Sequence, residues 1–251
     1  MTDYDRHALI DLRQWQQQMR RPPGLFDHLT RGIQTRVNRV IPERIHVAIT
    51  AAIKAMVRGV LFGSEVVSAL PVSHTLSLAA REMEVERCIE RFRRLATVEG
   101  AATGAAGFVV GLADFPLLLS LKLKMLFEIA ALYGHDARTF QERVYLLYVF
   151  QLAYSSQHGR NAVFRHLDDW PATVAALPPD VHGLDWRTFQ QEYRDYIDLA
   201  KLAQLLPVVG AAVGAVANYR LVNHLGRTAM MAYRLRYFTP TDAVAVPAPP
   251  L

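Results

Sequence analysis

The chain has 251 residues, 51% of them hydrophobic and 20% charged, with a formal net charge of +5. That length suits one large domain or two small ones and supports a substantial core. Cys88 is the single cysteine, which excludes an intrachain disulfide and any multi-cysteine metal site. No long Lys/Arg run with interleaved aromatics and no recognisable nucleic-acid motif is present, so nucleic acid is not an expected partner. The modest basicity fits either a solvated surface with some excess arginine or attraction to an anionic membrane surface, worth about 1 kcal/mol per well-placed cation.

The start, MTDYDRHALIDLRQW, is charged and lacks an apolar core, so no secretory signal is expected. With the lone cysteine this favours the cytosolic side. Period-3.6 patterning recurs along the chain, and no alternating strand pattern stands out. Leu9, Leu12 and Met19, with Trp15 alongside, predict a first helix ended by Pro22-Pro23-Gly24. Leu25, Leu29, Ile33, Val37 and Val40 mark a second, ended by Pro42. Ile45, Ile49, Ile53 and Val57 mark a third, from about Glu43 to Leu61, with an interruption at Gly63-Ser64. Ser73 is the expected N-cap of a long charged helix from His74 to about Thr97.

A glycine-studded apolar segment follows, from Gly100 to Leu121, and a second runs from Leu202 to Tyr219. Between them lie a helix predicted to stop at Gly134, one from Arg138 to about Gln157, an irregular stretch from His158 to Gly183, and a helix capped by Asp185 and running through Gln204. Pro116 predicts a break near Asp114-Phe115. Pro207 opens a final helix to about Tyr237, and the tail TPTDAVAVPAPPL reads as disordered. The expectation is an all-α fold of about ten helices, with one domain over residues 1–238 and a Pro/Ala-rich tail over 239–251.

The two apolar segments carry the strongest signal. Gly100/Gly104, Gly107/Gly111 and Gly210/Gly214 are spaced four apart, a GxxxG pattern that puts them on one helix face and lets another backbone approach closely. Each glycine costs roughly 1 kcal/mol against alanine, which tight packing or an apolar medium would offset. A membrane crossing needs about 20 apolar residues. Fourteen precede Asp114 in the first segment, and the second holds Gln204, Pro207 and Asn218 among its eighteen residues. Three readings therefore stand: a marginal span, one arm of a shallow hairpin, or a buried core helix. The last two are preferred, with the two segments paired centrally.

Motifs for chemistry are mostly missing. There is no phosphate-binding loop, no dinucleotide fingerprint, no nucleophile elbow and no HExxH. Glu43-Arg-Ile-His46 is a lone Glu-x-x-His, where a di-iron bundle needs two, and Glu43 reads as a first-turn acid. Glu82, Glu86 and Glu90 repeat every four residues, but the interspersed Arg81, Arg87, Arg91, Arg93 and Arg94 read as a solvated, salt-bridged face. His166-Leu-Asp168-Asp169 reads as an exposed loop rather than a metal site. Asp114 is the sharpest candidate. It caps the helix restarting after Pro116, or pairs with an Arg or Lys of the stretch from Leu206 to Phe238, or binds a proton or ligand. Asn218 is expected to make an interhelical hydrogen bond, and Tyr133-Gly134 to be a helix end with a packed aromatic. Lys122, Lys124 and Arg220 edge the apolar segments, where basic side chains either snorkel to headgroups or simply face solvent. No catalytic residue, cofactor or metal is expected.

The blocks GAAGFVVGLADFPLLLSLKLKMLFEIAALYG and LPVVGAAVGAVANYRLVNHLGRTAMMAYRLRYF resemble the EcsC protein family, as does PPG followed by RVNRVIPERIHVAITAAIKAMVRGVLFGSE. The resemblance covers about Arg21 to Tyr237. It is carried by Gly107, Gly111, Asp114, Pro116, Tyr133 and Gly134 in the first block, and by Pro207, Gly210, Gly214 and Asn218 in the second. It implies a bacterial α-helical protein of a family named from a locus encoding an ABC transporter that affects secretion, with no established enzymatic activity. The expected function is a non-enzymatic, membrane-associated accessory protein, peripheral or shallowly inserted on the cytoplasmic side of the inner membrane. Its expected partners are the lipid surface or a membrane protein such as an ABC transporter. The alternative is a soluble helical protein holding a lipid or other apolar ligand between its glycine-rich helices. An enzyme built around Asp114 and Asn218 is a third reading, motivated only by their apolar setting. Oligomeric state, ligand and partner identity are not legible.

Overall fold

A computed structural model describes residues 1–21, 43–62, 76–106, 108–155, 157–184 and 211–239; within it, only the backbone is described over 43–46, 48–49, 99–106, 108–115, 157–158 and 211–214. The architecture is all-α, with eight α-helices and one 3-10 turn among the described residues.

Helix α1 (Asp3–Arg20) starts in a capping box: the Thr2 hydroxyl accepts from the Asp5 amide while the Asp5 carboxylate accepts from the Thr2 amide. Ala8 and Leu12 bury its inner face, and Arg21, ahead of Pro22, is already extended. α2 (Glu43–Phe62) packs on the next helices through Ile53, Met56, Val57, Val60 and Leu61. The expected helix over residues 25–40 lies outside the described residues, as do Gly63-Ser64, the Asp185–Gln204 helix and the tail.

α3 (Leu78–Ala106) and α4 (Phe108–Leu132) correct two expectations. The cap described for α3 is Ser77, whose hydroxyl accepts from the Ala80 amide at 3.3 Å and whose carbonyl accepts from Arg81. The helix then continues through Gly100 and Gly104, so the first glycine-rich segment is divided between α3 and α4; Gly107 itself lies outside the described residues. Pro116 does not break α4, which runs through it. The proline removes one N–H and leaves the Leu112 carbonyl without its helical donor, a cost of about 3 kcal/mol. Burial of Leu118, Leu119, Leu126, Ile129 and Ala130 along the same helix outweighs it.

α4 ends as the sequence predicts. Gly134 sits at φ 90°, its amide bonds to the Ala131 carbonyl at 3.0 Å, and the His135 amide reaches the Ala130 carbonyl at 2.9 Å. This is the paired closure of a Schellman motif, which needs a left-handed residue at C′. α5 (Phe140–Tyr154) is capped by Thr139 and is buried nearly all round, from Val144 to Tyr154. A helix apolar on every side belongs in the middle of a core.

The stretch expected to be irregular contains α6 (Gln157–Asp168) and α7 (Trp170–Ala176), followed by a 3-10 turn at Val181–Gly183. Pro171 is a helix starter here: it lies in the first turn of α7, behind Asp169, whose carboxylate accepts from the Ala172 amide. α6 holds through Val163, Phe164 and Leu167, all buried, with Phe164 edge-on to Trp15 at 5.3 Å.

α8 (Ala211–Phe238) organises the molecule. It runs antiparallel to α3, with contacts descending from Glu82–Arg234 through Glu86–Arg227 to Arg93–Asn223. It is also antiparallel to α5, where Tyr145 donates to the Ala232 carbonyl at 2.7 Å and Tyr154 to the Leu221 carbonyl at 3.2 Å. At Gly226 the backbone of α8 lies directly against the Ile89 side chain of α3. α8 also packs on α4, so the helices that carry the two glycine-rich segments are neighbours. The side chains of residues 99–115 and 211–214, and Pro207 and Gly210, lie outside the described residues.

Candidate functional site

The outstanding chemical feature is a buried charged cluster that the sequence pattern hides. Glu82, only 1% exposed, is held by Arg234 in a two-pronged pair: Nε to Oε1 and Nη2 to Oε2, each at 2.6 Å. Tyr133 donates its hydroxyl to Oε1 at 2.8 Å and Tyr4 to Oε2 at 2.5 Å. Arg81 donates to the Tyr133 carbonyl at 2.5 Å. One carboxylate thus ties α1, α3 and α8 to the end of α4. A parallel cluster lies across the Tyr133–Tyr233 ring stack (5.1 Å), where Glu142 accepts from Tyr233 at 2.5 Å and Arg236 at 2.6 Å.

These are structural groups. Each Glu82 oxygen already accepts two hydrogen bonds, so neither is available to abstract a proton from a substrate. The electrostatics agree. Burial alone would lower the Arg234 pKa, but the hydrogen bonds and charge of Glu82 hold it raised. Burial, then Glu82, pushes the Tyr4 phenol up to about 12 and the Tyr133 phenol well above its ordinary value; burial and Glu142 do the same for Tyr233. Burial also pushes the Cys88 thiol up to about 12, so it is not a thiolate nucleophile at neutral pH.

The phenol shifts carry a sign. A phenol whose pKa is higher in the folded state stabilises fully below its unfolded value, near 10, and loses that contribution as the pH rises through the folded value. Alkaline unfolding is therefore expected as the pH climbs from about 10 past 12. Phenolate absorbance, followed beside far-UV circular dichroism, should show Tyr133 and Tyr233 ionising only with the loss of helix. Smooth ionisation of all ten tyrosines with the helices intact would contradict the network.

The expected Glu82/Glu86/Glu90 stripe is thus corrected in part. A four-residue step turns a helix by roughly 40° beyond one revolution, so the stripe winds from the core outward. Glu82 shares the inward face with Leu78, Val85, Ile89 and Phe92, all buried. Glu86 pairs with Arg227 across the α3–α8 seam, and Glu90 faces out, paired with Arg93 and Arg94. The bonds from Arg94, and the charges of Arg93 and Arg94, hold the Glu90 carboxyl below its usual range.

On this outer side lies an open cleft of about 1000 Å³. Its apolar lining includes Met83, Leu95, Val98 and Leu121, and its cations among the described residues are all arginines: Arg87, Arg91, Arg93, Arg94 and Arg227. Met83, Leu95 and Val98 are 52%, 48% and 71% exposed. Arg91 pairs with Glu128 of α4 and Arg87 with Glu84 at 2.6 Å. Arg93, less exposed, lies over the Tyr219 ring at 4.4 Å.

The other predicted residues fall as follows. Gly111, Asp114 and Pro116 are all within α4, and Gly214 is in α8; the Asp114 side chain lies outside what is described. Because α4 is continuous from Phe108, no helix restarts after Pro116 for Asp114 to cap. Tyr133 and Gly134 close α4, and Tyr133 joins the Glu82 cluster. Lys122 corrects the view of a residue at a membrane edge or in solvent: it is fully buried, and its ammonium donates to the Leu118 carbonyl at 3.4 Å. Lys124 and Arg220 are exposed. Asn218 is fully buried, and among the described residues neither its Oδ1 nor its Nδ2 makes the expected interhelical hydrogen bond. His166 stacks on Tyr148 at 4.6 Å, Asp168 pairs with Arg20 at 2.7 Å and Asp169 caps α7, so these three do not form a shared metal site. No group of three or more metal-ligating side chains occurs among the described residues, and no described helix is long and apolar enough to cross a membrane.

The described residues define a helical protein with buried charged clusters between its helices and an open cleft lined by arginine and apolar side chains. Comparison with known families matches residues 6–238 to the EcsC protein family. The chain is 42% identical over 241 residues to Protein EcsC of Bacillus subtilis (strain 168), covering 96% of this chain and 99% of that protein. It is 36% identical over 143 residues to the Uncharacterized protein YdbA of the same strain, covering 56% of this chain and 52% of that one. No solved structure matches. The chain belongs to the EcsC family.

Proposed function

We propose that this protein is a non-enzymatic accessory protein acting at an anionic membrane surface, on the cytoplasmic side, together with a membrane protein such as an ABC transporter. The observation that supports this reading is the outer face of α3, where Arg87, Arg91 and Arg94 stand beside exposed Met83, Leu95 and Val98. Arginine side chains near an anionic leaflet each contribute about 1 kcal/mol, and adjacent apolar side chains add insertion into the headgroup region. The association is peripheral. It needs no spanning helix, and it assigns the contact chiefly to residues 83–98 of α3, ahead of the first glycine-rich segment.

Flotation of detergent-free protein with vesicles tests this. Binding to vesicles containing phosphatidylglycerol, with little to phosphatidylcholine alone, is expected. Part of that binding should persist at high salt, because the apolar contacts are not screened. Equal recovery with both vesicle types, or with neither, would overturn the reading.

A further inference from the structure

A flat bilayer surface does not need a cleft, and the α3 face has one. We propose that this cleft is a binding site for a single anionic phospholipid molecule, its phosphate held by arginine forks and its acyl chain laid against the apolar wall. The inference rests on the membrane-surface reading above and names the ligand.

Three observations carry it. The first is charge. The lining described holds five guanidinium groups and no lysine, against the four carboxylates that pair with them, Glu84, Glu86, Glu90 and Glu128, which leaves one positive charge in excess. Arginine's planar fork matches phosphate oxygens in pairs, where lysine offers only a point charge.

The second is the exchangeability of the present partners. The Arg87–Glu84 and Arg94–Glu90 pairs lie within three or four residues on one exposed helix face, with Arg87 and Arg94 side chains 66% and 77% exposed. Exposed pairs of this kind hold weakly, so a phosphate can replace the carboxylates. Arg93 contrasts with them: it is fixed by Asn223 at 2.8 Å and by the Tyr219 ring, and it serves as a rigid wall.

The third is the order of polarity along α3. Met83 stands at the start of the wall; Arg87, Arg91 and Arg94 follow, and then Leu95 and Val98, with Leu121 of α4 also in the lining. At 1.5 Å per residue, Arg87 to Arg94 spans roughly 10 Å and Leu95 to Val98 about 5 Å more, which suits a headgroup along the arginines and the first few methylenes of an acyl chain beyond them. A volume of about 1000 Å³ lies at the upper end of the usual range for ligand pockets. A free phosphate would leave the exposed leucine and valine unused.

Isothermal titration calorimetry of the full chain tests the proposal. The probes are lysophosphatidylglycerol, lysophosphatidylcholine of the same chain length, and glycerol phosphate, all below micelle-forming concentrations. Saturable binding of one lysophosphatidylglycerol per chain is expected, about tenfold or more tighter than lysophosphatidylcholine, a difference of about 1.4 kcal/mol. Val98→Asp and the double variant Arg87→Glu/Arg94→Glu should each weaken it about tenfold or more, with circular dichroism unchanged. All three positions are exposed, so these variants keep the fold. Equal affinity for the two lipids, non-saturating uptake, or glycerol phosphate binding as tightly as the lipid would each overturn it, the last by revealing a plain anion site. Vesicle flotation without lysolipid binding would overturn the cleft and leave the surface association standing.

Discussion

Replacing Glu82 by alanine is expected to lower the unfolding free energy by about 3–5 kcal/mol, because it leaves Arg234 charged and buried without its partner. The Arg234 side chain is only 7% exposed, and its remaining carboxylate, Asp11, lies 3.6 Å away and is mostly in solvent. Two phenols lose their acceptor in the same step: Tyr133 keeps only a long contact to the Met230 carbonyl, and Tyr4 is released. Against a typical domain stability of about 5–15 kcal/mol this is a large fraction. Urea unfolding measures it. The double variant Glu82→Leu/Arg234→Met should recover much of the loss, since an apolar pair of similar volume often replaces a buried ion pair at little cost. By contrast, Arg87→Ala, on the same helix but facing out, should change stability by less than about 1 kcal/mol. Similar small effects for Glu82 and Arg87 would mean that the cluster does not hold the helices.

Gly226→Ala should destabilise the protein by about 1–3 kcal/mol, although alanine is the better helix former by about 1 kcal/mol. A Cβ at this position would sit 2.6 Å from Ile89 Cγ1, 2.9 Å from Cδ1 and 3.1 Å from Cγ2. Ile89 is fully buried and branched at Cβ, so it has little room to turn away. In an Ile89→Ala background all three obstructing atoms are gone, and the same change should become neutral or mildly stabilising. That double-mutant cycle isolates the close approach of α3 and α8 from general helix propensity. Gly59→Ala is the control: nothing lies within 4 Å of its Cβ position, so it should stabilise α2 by about 0.5–1 kcal/mol. An identical Gly226→Ala effect with and without Ile89 would rule out this packing.

Much of the helical framework was legible because local chemistry specified it. The Pro22-Pro23-Gly24 stop after α1 and Gly134 after α4 each act within a few residues, where capping and backbone geometry decide. Pro116 misled because its penalty is local while the burial that outweighs it belongs to the whole of α4. Pro171 misled in the opposite sense: read as a loop marker, it opens a helix once Asp169 stands before it.

The charged clusters were harder to read. Glu82 sat among arginines that neutralise it on paper, and its true partner, Arg234, is 152 residues away. One signal was available: Glu82 shares the seven-residue spacing of Val85, Ile89, Phe92 and Ala96, which would place it on a buried stripe. The same spacing separates it from Arg87, Arg91 and Arg94 on the other side of the helix. The resemblance to the EcsC family, carried by the glycine-rich blocks, held, yet most of the cleft lining comes from α3 ahead of them, with Leu121 and Arg227 the lining residues from the blocks.

Helix α3 turns Glu82 inward to Arg234 and Arg87 and Arg94 outward, and in the proposed function the outward pair meets an anionic surface. Vesicle flotation of Arg87→Glu/Arg94→Glu, read together with its thermal unfolding, tests this most directly. The account predicts a protein that melts like the parent and no longer floats with phosphatidylglycerol vesicles. Undiminished flotation at unchanged stability would contradict it.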